Sequence, residues 1–136
     1  MQRYIEWTEA ISVKEPVLDA QHRQVFDIIN DLYVMGTSAP RAEVLRILRR
    51  LKFFTLTHLR CEEEYIRCSE CPFFEEHKAA HRKMAASVER YIADYHRGQL
   101  DLTELLAFLK TWWLGHIRTA DAEYVPMLPA IGDSDP

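Results

Sequence analysis

Four stretches of this chain repeat apolar residues at intervals of three and four, and every one of them carries a histidine inside its apolar stripe. The first, from about Val17 to Met35, places Leu18, His22, Val25, Phe26, Ile29, Leu32 and Tyr33 on one face. The second, from about Pro40 to Arg67, aligns Val44, Ile47, Leu48, Leu51, Phe54, Thr55, His58, Glu62 and Tyr65. The third, from about Pro72 to Arg97, aligns Phe74, His77, His81, Met84, Val88, Ile92 and Tyr95. The fourth, starting near Asp101, aligns Leu102, Leu105, Leu106, Leu109, Trp112, Trp113 and His116. Nothing alternates with the period of a strand. Four long amphipathic helices joined by short turns predict an all-α fold, an antiparallel up-down-up-down four-helix bundle.

Helix ends are marked by chemistry. Gly36 is expected to stop the first helix, and Ser38 and Pro40 to start the second, with Pro40 in its first turn. Gly98 should end the third, and Asp101 should cap the fourth with Glu104 three residues on. Residues 1–16 lack helical periodicity and read as an arm packed along the bundle through Tyr4, Ile5, Trp7, Ile11 and Val13. The expected organisation is one domain: arm 1–16, bundle 17–121 and a proline-containing tail 122–136.

At 136 residues and 48% hydrophobic, the chain can bury one substantial core. A net charge of −4 argues against a nucleic-acid partner. Arg41, Arg46, Arg49, Arg50 and Lys52 lie opposite the second stripe and read as a solvated face. No apolar run approaches the roughly 20 residues of a membrane span, and no signal-peptide core follows the N-terminus. The expectation is a cytoplasmic monomer with no membrane partner. Cys61, Cys68 and Cys71 form an odd set, against a disulfide framework. Cys61 reads as a small helix-packing residue, and Cys68 and Cys71 as turn residues between two helices.

The stripe histidines demand explanation, because a polar group in a bundle core needs a partner. One such histidine is usually a hydrogen-bonded core residue. Here there are five, His22, His58, His77, His81 and His116, together with the carboxylates Glu62 and Asp121. A buried metal centre satisfies all of them. His58 and Glu62, and likewise His77 and His81, are four apart and share a helix face. Asp121 follows His116 by five, a rotation of about 140° on an ideal helix, which predicts a π turn or other departure between them. Seven ligands exceed the four of a structural zinc site and suggest two ions. Two octahedral ions offer twelve positions. Five imidazoles, two bridging carboxylates and one bridging oxide or hydroxide fill eleven, leaving one for a small diatomic ligand. Imidazole and carboxylate ligands suit iron, among other metals. His96, Glu63 and Glu64 are expected on the surface.

These residues resemble the hemerythrin family in its single-domain bacterial form, the bacteriohemerythrins. The resemblance runs from Trp7 to Tyr124 through Asp19-Ala20-Gln21-His22, His58-x-x-x-Glu62-Glu63, His77-x-x-x-His81 and Trp113-x-x-His116-Ile117-x-x-x-Asp121-x-x-Tyr124. It implies two iron ions in a non-haem, oxo- or hydroxo-bridged centre. His77, His81 and His116 would hold one iron, and His22 and His58 the other, which keeps the open position. Glu62 and Asp121 would bridge. The implied function is reversible dioxygen binding for storage, delivery or sensing, without enzymatic turnover. The alternative is a di-iron redox enzyme acting on nitric oxide or peroxide, or in iron-centre repair. Leu114 and Ile117, flanking His116, are candidates for the oxygen pocket, and Gly115 either permits a close backbone approach or is simply tolerated. The chain departs from the family at Ser12-Val13-Lys14-Glu15-Pro16, where members often carry a glycine.

Overall fold

The computed structural model describes residues 3–35, 38–68, 72–99 and 101–123, with the side chains at 66, 68 and 120–123 excluded. Four helices account for most of them: α1 (Pro16–Met35), α2 (Arg41–Cys68), α3 (Phe74–His96) and α4 (Leu102–Glu123). A short 3-10 turn, Glu9–Ile11, interrupts the arm, and there is no strand among the described residues. Helix α1 packs on α2, α2 on α3, and α4 returns against α1. The four-helix bundle expected from the stripes is the fold.

The stripes form its core. Val25, Phe26, Ile29 and Leu32 from α1 meet Val44, Leu48 and Leu51 from α2, Met84 and Val88 from α3, and Leu105, Leu109 and Trp113 from α4, all buried. Burying such side chains contributes about 1.5–3 kcal/mol each before conformational entropy is set against it. Cys61 packs against this core as a free thiol, the role its size suggested.

Local chemistry sets the ends. Pro16 takes the first position of α1, where its missing N–H costs nothing, and the Glu15 carboxylate accepts from Leu18 N at 2.9 Å. The Pro40 carbonyl accepts from Glu43 N and Val44 N, so Pro40 immediately precedes α2. Sequence placed it one position further in. Helix α3 starts at Phe74, two residues later than expected, because Pro72 and Phe73 form a turn whose Phe73 carbonyl accepts from His77 N. Its C-terminus closes as a Schellman motif. Gly98 adopts φ +74, Gly98 N donates to the Tyr95 carbonyl, and Gln99 N donates to that of Asp94. Arg41 adds its guanidinium to the carbonyls of Tyr95 and His96, so the basic face of α2 also caps α3. Asp101 caps α4 as expected, its Oδ1 accepting from Thr103 N at 2.9 Å. Gly36, Cys71 and the tail from Tyr124 lie outside the described residues.

The arm is clamped at two points. Asn30 accepts from Ile5 N through Oδ1 at 3.0 Å and donates from Nδ2 to the Ile5 carbonyl at 2.8 Å. Buried Asp19 accepts from Ser12 Oγ at 2.6 Å and Val13 N at 2.9 Å. Between these anchors Ile5 and Val13 are buried, and Arg23 stacks over the Trp7 ring at 4.1 Å. Lys14 has φ 60, the left-handed region that a β-carbon disfavours. This is the segment in which the family resemblance leads one to expect glycine. Lys14→Gly is therefore expected to stabilise the protein by about 0.5–1 kcal/mol, read as a rise of a few degrees in Tm. An unchanged or lowered Tm would mean the segment carries no such strain.

Candidate metal centre

The helix stripes bring five of the seven candidate ligands to one buried place. Nitrogen and carboxylate atoms of His22, His58 and Glu62 lie within 4.8 Å of one another, and so do those of Glu62, His81 and His116. Glu62 belongs to both groups and is wholly buried. Its Oε2 stands 3.1 Å from the Nε2 atoms of both His58 and His116. Its Oε1 stands 3.0 Å from His81 Nε2 and 2.9 Å from His116 Nε2. One carboxylate from α2 thus faces imidazoles from three helices. His77 is buried one turn before His81 and borders the same groove as His116, but its nitrogens fall outside both triads.

Helix α4 runs as uninterrupted α-helix through His116 and Asp121. The expected π turn between them is not there, because the backbone keeps its helical hydrogen bonding across both positions. The Asp121 side chain lies outside the described residues. Ile117 is buried in the core and Leu114 packs against its edge. A β-carbon at Gly115 would meet no atom within 4 Å, so no close backbone approach explains that glycine.

Two orienting groups were not legible as such. Glu63, expected on the surface, is only a quarter exposed and accepts from His81 Nδ1 at 2.7 Å. It sits on the flank of α2 that faces α3. Gln21 accepts from His58 Nδ1 through Oε1 at 2.7 Å. Both contacts hold the proton on Nδ1 and turn Nε2 toward Glu62, the arrangement that metal-binding histidines use. Glu64 and His96 are exposed, as expected.

Aromatic rings enclose the site. Trp113 is fully buried, with its ring centroid 5.4 Å from His58, 5.8 Å from His116 and 6.2 Å from His22. Trp112 stacks nearly parallel on His116 at 4.5 Å and 13°.

Electrostatics follow from this packing. Burial pushes the His22 imidazole down to about 3, helped by neighbouring His58, so the ring is neutral near pH 7. Burial alone would raise the Glu62 carboxyl. The charge of His116 and the hydrogen bonds from His116, His58 and His81 outweigh it and hold Glu62 well below the usual carboxylate range. Burial would lower His81, yet Glu62 and Glu63 on its two sides raise it.

A metal is tested by what these groups lack. Both ring nitrogens of His22 are buried with no hydrogen-bond partner among the described residues. An unpartnered buried polar group is costly, and a neutral imidazole lone pair beside an ionised carboxylate is a ready metal ligand. Three further Nε2 atoms crowd the same carboxylate, where divalent ions would replace protons. The residues fit two metal ions sharing Glu62.

The family model of the hemerythrin HHE cation binding domain matches residues 14–128. A bacteriohemerythrin of Stenotrophomonas maltophilia (strain R551-3) is 30% identical over 124 residues, covering 91% of this chain and 81% of that protein. One from Methylococcus capsulatus (strain ATCC 33009 / NCIMB 11132 / Bath) is 27% identical over 126 residues, covering 91% and 96%. The crystal structure of a hemerythrin leucine-to-alanine mutant superimposes with a TM-score of 0.86 at 26% identity, covering 93% of this chain and 98% of that one. Matches of this extent, in sequence and in fold alike, establish that the chain belongs to the hemerythrin family.

Proposed function

We propose that this protein binds dioxygen reversibly at a non-haem di-iron centre, for storage, delivery or sensing. The observation that carries the reading is Glu62, one buried carboxylate shared by two triads of potential ligands. In this reading His22 and His58 would hold one iron, His77, His81 and His116 would hold the other, and the Glu62 and Asp121 carboxylates would be shared between them. The iron pair, when bound, supplies the electrons that reversible dioxygen binding requires.

The chain's own residues do the rest. Gln21 and Glu63 fix the His58 and His81 rings by their Nδ1–H bonds and keep each Nε2 aimed inward. Ionised Glu62 offsets cationic charge where water cannot. Trp113 and Ile117, both buried, and half-buried Leu114 supply an apolar wall that excludes water from the pocket. We further read the bundle, with its N-terminal arm, as one domain that works as a cytoplasmic monomer. Its net charge of −4 and mixed, ion-paired surface favour a dispersed protein. No helix among the described residues is long and apolar enough to cross a membrane.

The deciding experiment is the visible absorption spectrum of the anaerobic, iron-reduced protein as oxygen is admitted and then removed. A charge-transfer band that comes and goes with oxygen supports the reading. Rapid irreversible conversion to an oxidised spectrum would instead favour a redox enzyme, to be assayed with nitric oxide or peroxide. Glu63→Ala is expected to weaken iron affinity by about tenfold to a hundredfold, because His81 loses its orienting acceptor. Competition with a chelator measures this, and wild-type affinity would remove Glu63 from the account.

A further inference from the structure

The buried histidines are sealed unequally. His22, His58 and Glu62 are at most 1% exposed, whereas His77 is 4% and His116 8% exposed. The cause is a groove of about 490 Å³ between α3 and α4, with His77 and His116 among its lining residues. Small residues keep it open. Ala80 borders it from α3, and on α4 a β-carbon at Gly115 would meet nothing within 4 Å. The Trp112 ring is held against His116 by stacking and forms one side of the groove. The remaining lining is oxygen-bearing: the exposed Glu76 carboxylate and the exposed hydroxyl residues Thr111 and Thr119.

We propose that this groove is the port through which ferrous ion enters the centre. The inference rests on the reading of His77 and His116 as iron ligands. A hydrated divalent cation exchanges its water first for oxygen donors, and an acidic group in a cleft raises its local concentration. Imidazole then competes well for iron. Glu76, Thr111 and Thr119 line the groove as oxygen-bearing residues, and the His77 and His116 imidazoles border it. The end of the centre at His22 and His58 has no comparable opening to solvent among its own side chains, which are nearly or wholly inaccessible.

The test is anaerobic mixing of the metal-free protein with ferrous ion, following uptake by stopped-flow and final iron content by elemental analysis. Gly115→Leu fills the groove without a clash at its β-carbon, and replacing a helix-interior glycine favours the helix. Uptake is expected to slow by about tenfold or more with the final content unchanged, as for a blocked gate. Ala107→Leu, on the exposed face of the same helix, should load at the wild-type rate. Glu76→Gln should slow uptake about twofold to tenfold at low salt, an effect that high salt removes. Uptake by Gly115→Leu at the wild-type rate would overturn the port, whatever its final iron content. Failure of the wild-type protein itself to take up iron would overturn the di-iron reading and the port with it, which separates the two failures.

Discussion

Glu62→Gln is expected to reduce bound iron from about two per chain to well below one, the largest loss of any single substitution in the centre. The reason is its place in both triads. His22→Ala should remove one iron and leave the half held by His81 and His116. Glutamine keeps the size of Glu62 but offers one acceptor oxygen where the carboxylate offers two. Its amide NH₂ would point donors at Nε2 atoms that must themselves accept a metal. The metal-free fold should suffer as well. Glu62 is wholly buried and faces His58, His81 and His116, so neutralising it removes one of the two carboxylates that raise His81 and leaves only Glu63 beside that ring. Breaking a buried pair of this kind costs about 3 kcal/mol. Elemental analysis after desalting and urea denaturation of the metal-free protein measure the two effects. Retention of two irons by Glu62→Gln would show that Glu62 does not bridge.

The contrast between Glu62 and its neighbour Glu63 explains what sequence could convey. Glu62 lies on the α2 stripe four residues after His58, so helical periodicity alone places it in the core. The same holds for His22, His77, His81 and His116, all buried as their stripes require. Glu63 lies off the stripe. Its contact with His81 depends on the register between α2 and α3, which no periodicity within one helix encodes. The available signal was chemical: a ligand histidine needs an acceptor for its second nitrogen. That rule predicts an acceptor near each histidine without naming it, and the role of Gln21 beside His58 depends likewise on how α1 and α2 are set against each other. Helix α4 shows the opposite failure. The five-residue gap from His116 to Asp121 predicts a break in helix geometry, yet the helix stays α-helical through it. In the arm, the hydrophobic residues were legible, but Asn30 and Asp19 as its clamps were not. Both are polar residues on a helix whose partners are backbone groups outside any periodic pattern.

Trp113→Ala is expected to cost about 4 kcal/mol of stability and to leave the protein unable to retain its full iron complement. Trp113 is fully buried, and its ring touches the surroundings of His22, His58 and His116 together. Its removal therefore opens a cavity where three imidazoles from three helices must hold fixed orientations. His22 has no hydrogen bond among the described residues to keep its place, so ring packing is the restraint it loses. Trp113→Phe separates packing from polarity. The indole Nε1 of Trp113 is buried without a hydrogen-bond partner among the described residues. Phenylalanine thus gives up no such bond and forfeits only volume, for which about 1–2 kcal/mol is expected. Urea denaturation of both metal-free variants gives the stability differences, and chelator-resistant iron gives retention. Equal costs for alanine and phenylalanine would mean that the indole edge itself, and not the filled volume, supports the centre. A cost below about 1 kcal/mol for alanine would mean that neighbouring helices close over the gap, and that Trp113 is dispensable as the wall of the site.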